Sequence, residues 1–218
     1  MRNLKRAFWG WLALLVVLWF IAEPTAFSSM AVMSLRDPMI QLTGIIAIGC
    51  MGVAMVLALR PRWPERWFGG LDKMYRMHKW LGIGALVASI VHWLWIEAPK
   101  WAVDWGLIER QARGPRAPID NPVQAFFSGY RGTAEDVGEW AFYAAIALIA
   151  LGLIARFPYR WFYKTHRLLA AAFLVLAFHT VVLLKFSYWL SPVGWIMALL
   201  LAASVWAGIL VLLRRVGA

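Results

Sequence analysis

The sequence predicts an all-α, polytopic membrane protein whose six transmembrane helices form one bundle. Hydrophobic residues make up 62% of the 218 positions, and 15 residues are tryptophan; this apolar share is well above that of a soluble domain. Six windows also approach the about 20 mostly apolar residues that a spanning helix needs. Because no internal repeat or low-complexity tract divides the chain, residues 1–218 are expected to form a single domain.

The six predicted helices follow one another closely except in one place. They cover about 7–23, 41–60, 80–96, 139–157, 168–186 and 192–213. The first window is short, and the basic MRNLKR before it leaves a signal peptide as an alternative. The long connection, 97–138, carries prolines and mixed charges, so it is not a seventh span. Its segment PKWAVDWGLIERQ is predicted to form a short helix lying on the outer surface of the membrane.

The net charge of +11 is distributed unevenly between the two ends of the bundle. With the N-terminus inside, the cytoplasmic segments hold 15 of the 22 Lys and Arg residues: 1–6, 60–79, 156–167 and 214–215. The opposite side holds nine of the 11 acidic residues. This positive-inside pattern predicts a multi-pass protein of the cell (inner) membrane with both termini in the cytoplasm. Because topology explains the basic charge, no nucleic-acid partner is expected.

The chain has four histidines, and all of them lie on the third and fifth predicted helices, two within the spans and two at their cytoplasmic edges: His92 and His179, and His78 and His166. One antiparallel span separates these two helices, so they run in the same direction. The spacings of 14 and 13 residues correspond to about 21 and about 19.5 Å at roughly 1.5 Å per residue. The histidines therefore match in depth as two pairs, His78 with His166 near the cytoplasm and His92 with His179 towards the outer face.

Two facing imidazoles at each of two depths indicate haem ligation. Zinc prefers three or four ligands close together, whereas a haem iron takes one axial nitrogen on each side, and helix bundles host such cofactors. The alternative is that each buried histidine is a satisfied core residue or part of a proton relay. No C-x-x-C-H motif is present and Cys50 is the single cysteine. The expected cofactors are therefore two haem b groups, stacked in the six-helix bundle and held without thioether bonds.

The two histidine spacings differ in helical phase. At 3.6 residues per turn, 14 residues return His92 to within about 40° of His78, but 13 residues leave His179 about 140° from His166. Either the fifth span contains a local distortion such as a π-bulge, or the two haems lie on different flanks of it.

The sequence around the histidines is similar to a known family. GGLDKMYRMHKWLG with the following VHW, and FPYRWFYKTHRLLA with the following AFHT, resemble the ferric reductase-like transmembrane domain of ferric reductases and NADPH oxidases, above all the membrane half of the bacterial proteins. The resemblance covers about residues 40–215 and implies two b-type haems that carry electrons from a cytoplasmic flavin to dioxygen or ferric iron outside. It implies His78 and His166 as ligands of the cytoplasmic-side haem, and His92 and His179 as ligands of the outer haem.

The resemblance also directs attention to further residues. Phe173 is the candidate for an aromatic residue between the haems, with simple core packing as the alternative. Ile96 and Gln41 stand where some relatives carry a histidine and an arginine near the oxygen site, which puts superoxide production in doubt but not electron transfer.

Cationic side chains near each haem are candidates for binding the anionic propionates. They are Arg76, Lys79, Lys164 and Arg167 on the cytoplasmic side, and Arg36, Lys100, Arg131 and Lys185 on the outer side. The alternative for each is an ordinary interfacial anchor. The cytoplasmic set, with the basic-aromatic loops RPRWPERWFGG and RFPYRWFYK, is also a candidate docking face for a flavin domain.

The predicted function is transmembrane electron transfer by the membrane domain of an oxidoreductase of the NAD(P)H oxidase or ferric reductase type. No G-x-G-x-x-G follows a strand, so FAD and NAD(P)H are expected on a flavin dehydrogenase domain or partner protein. The other expected partners are the lipid bilayer and an outer acceptor, which is dioxygen, ferric iron or a periplasmic protein. Two alternatives stay open: a stand-alone haem subunit fed by quinol or a separate reductase for a periplasmic enzyme, and a haem-binding or haem-transport protein.

Overall fold

In the computed structural model, every long secondary-structure element of the described residues is a helix. The structure describes residues 2–109, 118–153 and 159–213, and for 64–66 and 159–164 it describes the backbone alone. Within these ranges eight α-helices follow in chain order: α1 (Arg2–Ala22), α2 (Val32–Ala58), α3 (Arg62–Phe68), α4 (Leu71–Asp104), α5 (Pro122–Gly129), α6 (Arg131–Leu153), α7 (Tyr159–Leu183) and α8 (Pro192–Leu212). A 3₁₀ helix, Phe186–Leu190, connects the last two.

Six of these helices are long and apolar enough to cross a membrane: α1, α2, α4, α6, α7 and α8. This confirms the all-α, polytopic bundle that the composition predicted. Several helices extend well beyond the predicted windows. The longest, α4, has 34 residues, or about 51 Å at roughly 1.5 Å per residue, against a hydrocarbon core of about 30 Å. Its ends therefore extend past the core, and His78 lies within the helix rather than at its edge.

The predicted surface helix in the long connection is wrong, because its first six residues, Pro99–Asp104, are the last turns of α4. The helix ends where Gly106 adopts a φ of 71°, a left-handed conformation that glycine accepts readily. The Gly106 amide donates to the Val103 carbonyl and the Leu107 amide to the Ala102 carbonyl, which is the Schellman pairing that closes a helix. Residues 110 and 111 of the predicted segment lie outside the described residues.

Small residues on α2 let neighbouring helices approach it closely. An added Cβ at Gly49 would lie 2.6 Å from Leu15 of α1, and one at Gly52 would lie 3.0 Å from Leu200 of α8, so both contacts need a small residue. The fourth helix, α4, packs antiparallel along α2, and α6 packs along α7. In contrast, α4 and α7 touch each other little, and the four histidines lie across the space between them.

A polar cluster fastens α1 to the turn between α7 and α8. Glu23, directly after α1, pairs with Lys185 and accepts a hydrogen bond of 2.8 Å from the Tyr188 hydroxyl. Burial raises the pKa of Glu23, but the hydrogen bonds from Lys185 and Tyr188 outweigh it and hold the pKa below its ordinary value. A carboxylate with a lowered folded-state pKa stabilises the fold above its unfolded-state pKa, and this contribution is lost as the pH falls through the folded-state pKa.

We expect the thermal unfolding midpoint of the detergent-solubilised protein to fall as the pH drops below 4.5, the ordinary pKa of Glu23, because protonation removes the pair with Lys185. Glu23→Gln should unfold at a lower temperature at neutral pH and depend less on pH in this window. Asp37→Asn is the matched control, since the Asp37 side chain is 88% exposed and an ion pair as exposed as its 3.6 Å contact with Arg36 contributes little to stability. Equal acid-induced losses in wild type and Glu23→Gln would contradict the assignment.

Candidate cofactor site

The four histidine side chains face one another across the space between α4 and α7. The ring centres of His78 and His166 are 5.8 Å apart, and those of His92 and His179 are 6.4 Å apart. The structure thus brings together the two pairs that the sequence matched in depth. His78 and His166, towards the basic end of the bundle, form the inner pair, and His92 and His179 form the outer pair.

Backbone carbonyls of neighbouring helices hold three of these rings. The Nδ1 atoms of His78, His92 and His179 lie 3.0 Å from Ala54 O, 2.9 Å from Ile40 O and 2.8 Å from Ala134 O, respectively. Because a carbonyl oxygen only accepts, we infer that Nδ1 carries the hydrogen in each ring and donates it. The neutral ring then has its lone pair on Nε2, which is the nitrogen left to bind a metal.

Two glycines leave space for the imidazole rings of the outer pair. A Cβ added at Gly138 of α6 would lie 1.9 Å from His179 Nδ1, and one added at Gly44 of α2 would lie 3.2 Å from His92 Cε1. Gly138 is one turn beyond Ala134, so the glycine and the carbonyl that serve His179 share one face of α6. Neither glycine was predicted, because a glycine inside a helical pattern does not reveal which neighbouring side chain it admits.

A cavity of about 320 Å³ lies beside the inner pair. Both rings line it, and its walls come from α2, α4, α6, α7 and α8 and include several small residues: Ala54, Ala58, Gly82, Ala85, Gly152 and Ala170. Tyr75 and Lys79, whose side chains end in a hydroxyl and an ammonium group, also line it. Tyr75 was not predicted, although its place one turn before Lys79 on α4 was a signal that could have identified it.

The donor set and spacing of both pairs fit a haem iron. An imidazole nitrogen binds a metal at about 2.0–2.1 Å, so two rings on opposite sides of one metal atom have centres roughly 6 Å apart, as in both pairs. Among the residues that the structure describes, no group of three or more His, Cys, Asp or Glu side chains is placed to hold a metal ion. Each level therefore offers two imidazoles, and the mostly apolar cavity beside the inner pair suits a large planar group.

The fifth span reaches both partners without a distortion. α7 is an uninterrupted α-helix from Tyr159 to Leu183, so the π-bulge that the spacing left open does not occur. His166 and His179 consequently leave α7 in directions about 140° apart at 3.6 residues per turn. His179 bonds to Ala134 of α6, whereas His166 faces a cavity that α8 also lines. The two pairs therefore use different flanks of α7.

The cationic residues predicted on the outer side all have partners within the protein. Arg36 donates to the Ile96 carbonyl at 3.3 Å and pairs with Asp37 at 3.6 Å. The other three also form ion pairs: Lys100 with Glu97, Arg131 with Glu135, and Lys185 with Glu23. The Arg36–Ile96 and Lys185–Glu23 contacts join different segments of the chain, whereas the Lys100 and Arg131 pairs each lie within one helix. None of these partners is a histidine of the outer pair.

The residues predicted on the inner side are placed differently from one another. Lys79 lines the cavity with His78, Arg76 is exposed on α4, and Arg167 donates to the Leu212 carbonyl at the end of α8 at 2.7 Å. The side chain of Lys164 lies outside the described residues. Phe173, on α7 between the two histidines, is fully buried.

Comparison with known proteins identifies one family. A family model described as "Ferric reductase like transmembrane component" matches residues 43–177. The matched range holds His78, His92 and His166 and ends two residues before His179. No curated protein and no solved structure matches the chain.

We predict that Gly138→Ala destabilises the folded protein, because the new Cβ would overlap the ring of His179. Overpacking of this kind costs about 1–3 kcal/mol, which a lower thermal unfolding midpoint in detergent would report. Gly132→Ala in the same helix is the matched control, since an added Cβ there meets nothing within 4 Å. Equal midpoints for the two variants would contradict the described packing around His179.

Proposed function

The chain belongs to the ferric reductase-like transmembrane family, and we propose that it conducts electrons through two haem b groups from a cytoplasmic reduced flavin to an acceptor at the outer face. In this role it is the membrane domain of an oxidoreductase of the NAD(P)H oxidase or ferric reductase type. The observation that carries the proposal is the arrangement of the four histidines as two facing pairs in a bundle of candidate spanning helices.

Each pair would supply the axial ligands of one haem: His78 and His166 at the inner level, and His92 and His179 at the outer level. Bound haem supplies one-electron redox chemistry at its iron. The chain supplies the nitrogens, orients three of the rings through their Nδ1–H bonds to carbonyls, and lines the cavity beside the inner pair mostly with apolar side chains. Ligand basicity and local polarity are the means by which a protein sets a haem potential.

Lys79 and Tyr75 are our candidates for holding the propionates of the inner haem. Both line the cavity beside His78, and a hydrogen bond from an ammonium group to a carboxylate is about twice as strong as a neutral one. The Arg60 guanidinium lies 5.6 Å from the centre of the Tyr75 ring and adds positive charge near the cavity. Phe173, buried on α7, is our candidate for the aromatic residue between the haems.

The electron donor is assigned to the basic end of the bundle. The positive-inside rule puts this end, with both termini, in the cytoplasm of an inner membrane. At this end α3 carries the exposed Trp63 and Trp67 among basic residues, a surface suited to a flavin dehydrogenase domain or protein that uses FAD and NAD(P)H. The acceptor, at the opposite end, is dioxygen, ferric iron or a periplasmic protein.

We predict that the purified protein holds two low-spin b-type haems per chain, and that His78→Ala and His92→Ala each lose one of them because each removes an axial ligand from a different level. The measurements are the haem-to-protein ratio and the dithionite-reduced absorption spectrum in detergent. Val91→Ala, beside His92 and on the exposed surface of α4, is the control and should retain both haems.

Two results would count against the proposal. Absence of a b-type spectrum in the reduced protein would refute the proposal of electron transfer through haems. A single haem that exchanges freely with added apoprotein acceptors, and that is lost in both histidine variants, would indicate a haem carrier instead.

A further inference from the structure

The contact between α2 and α4 repeats at both histidine levels. His92 donates to the Ile40 carbonyl and His78 donates to the Ala54 carbonyl. The two carbonyls are 14 residues apart on α2, as the two histidines are on α4, so the antiparallel helices present equivalent positions to the inner and outer rings. A residue of α2 that differs between these equivalent positions therefore gives His78 and His92 different surroundings.

One such difference is a hydroxyl group. Three residues after Ile40, α2 carries Thr43, whereas three residues after Ala54 it carries Leu57. The Thr43 Oγ1 atom lies 3.3 Å from His92 Nδ1, in addition to the Ile40 carbonyl at 2.9 Å. Within the part of the chain that the structure describes, the Ala54 carbonyl is the one hydrogen-bond partner of His78 Nδ1.

The direction of the Thr43 hydrogen bond follows from its other contacts. The hydroxyl donates to the Met39 carbonyl of its own helix at 2.6 Å, so its oxygen presents a lone pair to its surroundings. His92 Nδ1 carries a hydrogen, because it faces the Ile40 carbonyl, which can only accept. The Nδ1–H group of His92 therefore has two acceptors. Thr43 is 9% exposed, and a water molecule has little access to take its place.

We propose that Thr43 is a positioning residue that strengthens His92 as an axial ligand and lowers the reduction potential of the outer haem. The inference rests on the proposed function. A second acceptor at Nδ1–H gives the ring more imidazolate character and makes Nε2 more basic, which stabilises oxidised iron relative to reduced iron. Thr43 would thereby increase the reducing power delivered at the outer face, while Leu57 leaves the inner ligand without this contribution.

The test is a potentiometric titration of the haem absorption in purified wild type and three variants. Thr43→Val removes the acceptor with little change in shape and should raise the potential of one of the two haem components, and Thr43→Ser should restore it. Thr180→Val is the matched control: Thr180 adjoins His179, but its hydroxyl donates to the Leu176 carbonyl at 2.8 Å, so neither potential should move.

The outcomes separate this inference from the proposed function. Two bis-histidine haems whose potentials are the same in wild type and Thr43→Val would overturn the role of Thr43 alone, as would an equal shift in Thr180→Val. A wild-type protein without such haems would overturn both proposals. If Thr43→Val does not accumulate, Leu57→Thr provides the converse measurement: it should lower the other component, and an unchanged potential there would also refute the inference.

Discussion

The structure depends on one requirement: imidazole rings inside a membrane bundle need hydrogen-bond partners that water does not supply. An unpaired polar group in the hydrocarbon region costs several kcal/mol. The carbonyls of α2 and α6 meet this need for three of the four rings. A helix carbonyl has a second lone pair beyond the one used by its own helix, so Ile40, Ala54 and Ala134 can accept these bonds without interrupting α2 or α6. The requirement favours α2 beside α4 and α6 beside α7.

From that requirement follows the layout of the bundle. α2 runs along α4 in the one register that serves both His78 and His92, and α6 runs along α7 where it serves His179. Because α2 supports α4 and α6 supports α7, α4 and α7 need not pack on each other. The histidines occupy the space between them. Glycines at 44 and 138 keep that space free of side chains at the outer level, while alanines and glycines do so beside the inner pair.

The sequence predicted the features that depend on composition and chain spacing. The six spans, the all-α class and the depth-matched pairs follow from apolar windows and from the rise per residue, and the structure has them. Helix ends were predicted less well. α4 continues through Pro99 to Asp104, because a proline is tolerated in a membrane helix, and Gly106 supplies the stop. Contacts between helices could not be predicted from spacing, which explains why Gly138 and the carbonyl partners were missed.

The predicted cationic contacts show the same limit. Depth alone selected Arg36, Arg167 and Lys185, but depth does not say what else lies within reach of a long side chain. Each of them found a partner on a distant segment: the Ile96 carbonyl, the Leu212 carbonyl and Glu23, respectively. Lys79, in contrast, lines the cavity beside His78, although adjacent positions on a helix point about 100° apart, so its place could not be read from its position next to His78.

The two levels of the bundle are therefore built from the same helices but are not equivalent. The inner pair adjoins a cavity that Lys79 and Tyr75 also line, whereas the outer pair contacts two glycines and a threonine hydroxyl. Positive charge and polar groups favour the reduced, more negative state of a nearby redox centre, while a more basic ligand favours the oxidised state. If the pairs hold haems as proposed, both differences would act in the same direction, towards a lower potential at the outer level. In a conduit of the proposed kind, this asymmetry would make electron transfer from the inner to the outer haem less favourable. It would make the final transfer from the outer haem to the acceptor more favourable.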